Sequence, residues 1–144
     1  MKIAKLFISC PMRDLDDDYI KEMRDWMYNL ACLLWGDEVD DFDIIETLIP
    51  PEESWKKNPS VKCIARSIDK LVDADYYIGI RDYDVTAHYS GCYLENFIVG
   101  SKMRDLKVHL IDDIKQYPIF SKLLKAIETT ERNMFATIGK VDDQ

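Results

Sequence analysis

Hydrophobic and polar positions along this chain switch repeatedly between a period of two and a period near 3.6. Residues 3–9, Ile-Ala-Lys-Leu-Phe-Ile-Ser, are a short β-prone run with one charge and predict a first strand. Cys10-Pro11-Met12-Arg13-Asp14 breaks it. Tyr19, Ile20, Met23, Trp26, Met27, Leu30, Leu33 and Leu34 then recur at helical spacing. Asp14 or Asp16 can cap that helix and Gly36 can end it. Ile44 to Ile49 reads as a second strand closed by Pro50-Pro51, and residues 52–59 as a polar loop. Ser60 can cap a helix with the apolar stripe Val61, Ile64, Ile68, Leu71 and Val72. Tyr76 to Ile80 predicts a third strand, Arg81 to Ser90 a loop, and about Gly91 to Gly100 a short helix. Val108 to Ile111 is a fourth strand. Ile119, Phe120, Leu123, Leu124 and Ile127 mark a last helix, over 119–138, behind Pro118 at its first turn.

Four strand–helix pairs in alternation predict an α/β fold. The expected form is three-layer, flavodoxin-like or Rossmann-like, with a parallel sheet of four or five strands and helices on both faces. No linker, repeat or low-complexity stretch divides residues 1–144, so a single domain is expected, and its size suffices to bury a core. Open sheets of this class bind ligands at the carboxyl ends of their strands, where strand order switches. Two loops then matter most: Ser9 to Asp14 and Arg81 to Gly91.

Composition narrows the partners. The chain carries 19 Lys+Arg against 27 Asp+Glu, a formal charge of −8. Its longest charge runs are acidic, Asp16-Asp17-Asp18 and Asp37 to Asp43, and read as a solvated cap and loop. Without clustered Lys and Arg, a nucleic acid polymer is not an expected partner. The longest apolar run, Leu30 to Trp35, is far short of the ~20 residues a membrane span needs, so no membrane partner is expected either. A charge in the middle of Met1 to Lys5 does not suit a signal peptide. Cys10, Cys32, Cys63 and Cys92 have no zinc-like spacing and there are only two histidines, so no metal is expected. Reduced thiols and a cytoplasmic location follow as expectations.

The candidate chemistry lies in the two loops. Ser9, Cys10, Met12 and Arg13 lead into a helix, whose backbone N–H groups and the Arg make a natural cradle for an anion. The structural alternative is a Pro turn with a capping Asp. In the second loop, Ser90 and Gly91 open a helix, and a Gly there lets a ligand approach the backbone. Glu95 lies within the first two turns of that helix, where the helix dipole favours the ionised form a carboxylate nucleophile needs. The alternative is an ordinary acidic residue near a helix start. Asp82 and Asp84, at the carboxyl end of the third strand, are candidate general acids or plain solvated loop residues. His88 is positioned to orient a phosphate or a base, or is an incidental loop histidine. No G-x-S-x-G or Walker loop is present, which disfavours acyl or phosphoryl transfer.

Taken in order, "KLFISCPMRD", "VDADYYIGI" and "SGCYLENFIVG" followed by "LKVHLI" resemble the nucleoside 2-deoxyribosyltransferase-like superfamily. It includes deoxyribosyltransferases, deoxynucleoside 5′-monophosphate N-glycosidases, and small bacterial and phage proteins with an S-G-P-M-type loop, the branch closest in character. The resemblance covers roughly residues 3–111 and leaves the C-terminal helix as an addition. It implies that Glu95, in the pattern G-x-x-x-E from Gly91, attacks the anomeric carbon of a nucleoside or nucleotide. A covalent glycosyl-enzyme would form and be resolved by water or a second base, with no cofactor. It also implies that Arg13 lies by a 5′-phosphate, and that the chain forms a homodimer or larger assembly whose neighbouring subunits complete each pocket.

The departures are specific. Phe7 stands where the family usually has a Tyr that hydrogen-bonds the Glu, and Ser67 where it usually has an Asp that helps the leaving base. The nearby Asp69 is no simple substitute, because two residues along a helix are roughly 200° apart. Tyr93 and Asn96 displace two glycines of the helix-start motif. Three readings follow: an active N-glycosidic enzyme; a nucleotide-binding protein that senses or sequesters without turnover; or a structural subunit without a small ligand. Trp26, Trp35 and Trp55 are compatible with an oligomer interface, although Trp26 fits the apolar stripe of the first helix and reads as core.

Overall fold

The computed structural model describes residues 1–48, 52–54 and 56–142, with side chains in the last helix through Met134. Its strands are β1 (Ile3–Ile8), β2 (Asp41–Ile44), β3 (Tyr76–Ile80) and β4 (Lys107–Ile111). Its helices are α1 (Asp17–Trp35), α2 (Pro59–Leu71), α3 (Tyr83–His88), α4 (Ser90–Ser101) and α5 (Ser121–Asp142). All strand pairs are parallel, in the order β2-β1-β3-β4. The protein is therefore the expected α/β fold with a parallel sheet covered on both faces. Among the described residues the sheet has four strands.

Alternation along the strands divides the core in two. Ala4, Leu6 and Ile8 of β1 and Tyr76, Ile78 and Ile80 of β3 pack with Ile20, Met23 and Met27 of α1 and Leu123 and Ile127 of α5. Phe7 and Tyr77 point the other way, onto Leu71 of α2 and Val99 of α4. Each successive side chain of a strand faces the opposite layer, so one strand serves both. The chain leaves β1 to one side for β2 and to the other for β3. The strand order thus switches between β1 and β3, and a crevice opens beyond their carboxyl ends.

Most elements fall where periodicity puts them, and the exceptions have clear causes. Asp16 caps α1 by accepting Tyr19 N–H at 2.9 Å, and Gly36 ends it. Leu33, 84% exposed, and Leu34 lie off the buried stripe of that helix. The second strand is Asp41–Ile44 rather than residues 44–49, and part of the expected acidic loop is therefore sheet. As an edge strand it buries only Phe42 and shows Asp41 and Asp43 to solvent, a pattern that hides its period and discourages edge pairing. Ile49, Pro50-Pro51 and Trp55 lie outside the described residues. Asn58 rather than Ser60 stands at the N-cap of α2, without a side-chain capping bond, and Pro59 takes its first position. Val61 and Val72 of its apolar stripe remain exposed. The loop expected over Arg81 to Ser90 contains α3, started by Asp82, whose carboxylate accepts Asp84 N–H at 3.0 Å and Val85 N–H at 3.3 Å. The last helix begins at Ser121, after a 3-10 turn over Pro118–Phe120, and runs to Asp142.

Candidate functional site

The ladder between β1 and β3 continues one residue past β1: Ser9 N–H donates to Ile78 C=O at 2.9 Å. This fixes Ser9 at the carboxyl end of the sheet with its hydroxyl on the α2/α4 side. There it donates to Glu95 Oε1 at 2.7 Å. Ser67, from α2, donates to Glu95 Oε2, also at 2.7 Å. One carboxylate thus joins a strand end and two helices, with one hydroxyl on each oxygen. Glu95 is 8% exposed. Burial pushes its pKa above the ordinary Glu range, and the Ser67 and Ser9 hydrogen bonds hold it back. Glu95 is the sixth residue of α4, beyond the first turn where a helix dipole acts most.

Glu95 forms part of the wall of a pocket of about 340 Å³. Cys10, Met12 and Arg13 of the first loop, Ser67 of α2, and Ser90 and Gly91 of α4 line it as well. At Gly91 an added methyl would meet only Ile64 Cγ1, at 3.9 Å, so its missing side chain leaves space inside the pocket. Two of the thiols are poor nucleophiles: burial pushes Cys10 up to about 12 and Cys92 higher still. Among the described residues, Glu95 is the only carboxylate on the wall.

Other sequence candidates lie elsewhere. Ser9 sits behind Glu95 rather than on the wall. Asp82 is occupied as the α3 cap, and neither it nor Asp84 lines the pocket. His88 Nδ1 lies 2.7 Å from the Asp84 carbonyl, and its Nε2 is 3.7 Å from Glu131, away from Glu95. Arg13 borders the pocket, but its Nη2 donates to the His88 carbonyl at 2.5 Å and its guanidinium lies over the Tyr89 ring, 5.8 Å from the centroid. Asp69 is exposed on α2, whereas Ser67 faces Glu95, as their angular separation requires.

The sequence reading missed Tyr77. It is the register partner of Phe7 on β3, and the two rings stack 5.7 Å apart. Its hydroxyl goes to Asn96, while Glu95 is held by Ser9 and Ser67. Burial pushes the Tyr77 phenol up, and the Glu95 charge raises it further. Tyr77 donates to Asn96 at Oδ1, and Asn96 Nδ2 donates to the Ile80 carbonyl at 2.8 Å. The parity of β3 puts Tyr77 on the face of Phe7, but only the strand order makes them neighbours. Thr47, Cys63, Tyr89 and Cys92 also line the pocket. Of these only Cys92 carries a local signal, three residues before Glu95 and so on the same helix face.

Comparison of the chain with protein-family models, with curated proteins and with solved structures finds no match.

Proposed function

We propose that the pocket cleaves or transfers the N-glycosidic bond of a nucleoside or nucleotide, with Glu95 as nucleophile. The observation that carries this reading is a buried carboxylate at the strand-order switch, held by one hydroxyl on each oxygen and open to a pocket. Two donors fix its orientation and leave lone pairs for attack on a sugar carbon. In the first step a Glu95 oxygen bonds to the anomeric carbon and the C–N bond breaks. Its electron pair leaves on the base nitrogen, which takes a proton from water. In the second step water or another base attacks the same carbon and returns Glu95 as carboxylate, with net retention. Asp82 and Asp84, expected to assist the base, are not placed to do so, and solvent is the proton source in this scheme.

A second reading draws on one feature of the wall: no other carboxylate lines it among the described residues. General acid help is worth ~10²–10⁴-fold. A pocket without it suits a protein that holds a nucleotide and turns it over slowly or not at all.

Chromatography of free and exchanged base tests both. The protein is incubated with each nucleoside and each 5′-monophosphate, with and without an acceptor base, beside Glu95→Ala. Base release that falls at least about 10⁴-fold in the variant, the size seen when a nucleophile is removed, is the expected result. No release, with nucleotide recovered from the denatured protein, favours the binding protein.

A further inference from the structure

The Glu95 pocket is continuous with a larger groove of about 960 Å³ toward β2 and α1, the two sharing Ile8, Met12, Arg13, Thr47 and Cys63 as wall. Arg24 of α1 lies in the wall of this groove, and its side chain is only 13% exposed. Its Nη1 reaches Glu46 Oε1 at 3.4 Å, a long contact to an oxygen that already accepts Leu48 N–H at 2.7 Å. Arg24 Nε has no hydrogen-bond partner among the described residues. Thr47, in the same wall and 9% exposed, is in the same condition at its hydroxyl.

A buried guanidinium has five N–H donors to satisfy, and losing water is costly unless they are taken. A buried hydroxyl without a partner adds a smaller cost of the same kind. Both orphan atoms lie beneath the groove surface, so a guest meets them after a turn of each side chain, and the acceptor that also matches the charge of the cation is an oxyanion. Arg13, 65% exposed, is not an equal candidate, because the His88 carbonyl and Asp14 already engage it. Asp17, Asp18, Asp25 and Glu46 also border the groove, with Lys21, but all five are exposed and screened by solvent, whereas Arg24 is largely covered. The Arg24 field reaches the Glu95 pocket, where it lowers the Cys10 thiol against the effect of burial.

We propose that this groove is a subsite for a phosphate-type oxyanion, with Arg24 as its charge partner and Thr47 as a hydroxyl donor. The anion is a phosphoryl group of the molecule in the Glu95 pocket or a separate oxyanion beside it. The subsite stands without the glycosidic reading; only the first of these two sources rests on it.

The test titrates the full chain with inorganic phosphate and with pyrophosphate by calorimetry, at ionic strength held constant with sodium chloride. Arg24→Met, Thr47→Val and Lys102→Met run alongside, the last removing an equal charge away from the groove. The expected result is saturable binding, weakened about tenfold or more in Arg24→Met and severalfold in Thr47→Val, and unchanged in Lys102→Met. Because Arg24 is poorly paired, Arg24→Met is expected to melt no lower than the parent. No saturable binding overturns the proposal. So does an equal loss in Lys102→Met, or Arg24→Met that melts lower while still binding phosphate normally.

Two further arms separate this proposal from the glycosidic one. Phosphate binding retained in Glu95→Gln, with no base release from any substrate, leaves the subsite standing and removes the glycosidic reading. Base release that is equal for nucleosides and monophosphates and unchanged in Arg24→Met, with no phosphate binding, does the reverse. A KM at least about tenfold lower for monophosphates than for nucleosides, and lost in Arg24→Met, identifies the anion as the substrate's own phosphate. Phosphate binding without that preference identifies a separate oxyanion.

Discussion

Glu95 is a charge held where charge is unwelcome, and that tension gives two measurable consequences. Its folded pKa lies above the unfolded value because burial outweighs two hydrogen bonds. The folded state therefore holds its proton to higher pH than the unfolded chain. The stability this brings is complete below the unfolded Glu pKa and is lost as pH rises through the folded one. Glu95→Gln is uncharged at every pH. Its melting temperature is expected to be near that of the parent around pH 4 and above it at pH 8, as read by thermal melts across that range. The second consequence concerns rate. A nucleophile must be ionised, so kcat/KM is expected to rise with pH through a midpoint above the ordinary Glu range. Ser67 donates to the charged form and lowers that midpoint. Ser67→Ala is expected to move the acid limb to higher pH, because it removes a hydrogen bond to the charged form. An unmoved limb would mean that Glu95 is not the group titrating.

Elements bring these residues together through close approach, and Gly79 marks one such place. It lies in β3 on the α4 side, between Tyr77 and Asn96. A methyl built there would stand 2.8 Å from Asn96 Oδ1 and 2.9 Å from Tyr77 Cε1. Both neighbours are fixed, Tyr77 by stacking on Phe7 and Asn96 by its bond to Ile80. Gly79→Ala is expected to destabilise the fold by about 1–3 kcal/mol in urea unfolding, the usual cost of overpacking. It should also lower activity, because α4, which carries Glu95, must shift away from the sheet. This need was not legible in a lone Gly within Tyr76 to Ile80, where close backbone approach is one meaning among several. The acidic second strand was likewise hidden, because an edge strand that buries one residue has no readable period. The short α3 lacks a stripe of its own and was visible only through Asp82, which serves equally well as a loop residue or a cap.

At the scale of the molecule, the C-terminal region closes the α1 layer. Tyr19 of α1 donates to the Ile119 carbonyl at 2.7 Å and accepts Leu123 N–H at 3.0 Å. Trp26 packs on Tyr117 and Phe120, with centroids 5.0 and 5.2 Å away. The family resemblance stops near residue 111, yet Phe120, Leu123 and Ile127 lie in the same core cluster as β1 and β3. Each such side chain contributes about 1.5–3 kcal/mol on burial, against a total of about 5–15 for a domain. A chain ending at Pro118 is therefore expected to lose its cooperative thermal transition, as followed by circular dichroism. No helix among the described residues is long and apolar enough to cross a membrane.

The sequence by itself determined the α/β class, the alternation of its main elements and the loops at the carboxyl ends of the first and third strands. These rest on local periodicity and turn chemistry, which a chain carries whatever its neighbours do. It also singled out Glu95, Ser9 and Ser67, though not that they touch. Tertiary structure alone decided that contact, because Ser9 and Glu95 are 86 residues apart and meet only through the β1–β3 ladder. It decided too that Tyr77 stacks on Phe7, that Asp82 is a cap, and that Arg24 is largely covered with only a long contact to Glu46. Pairing and burial are properties of neighbours brought from distant segments, and no local pattern encodes them.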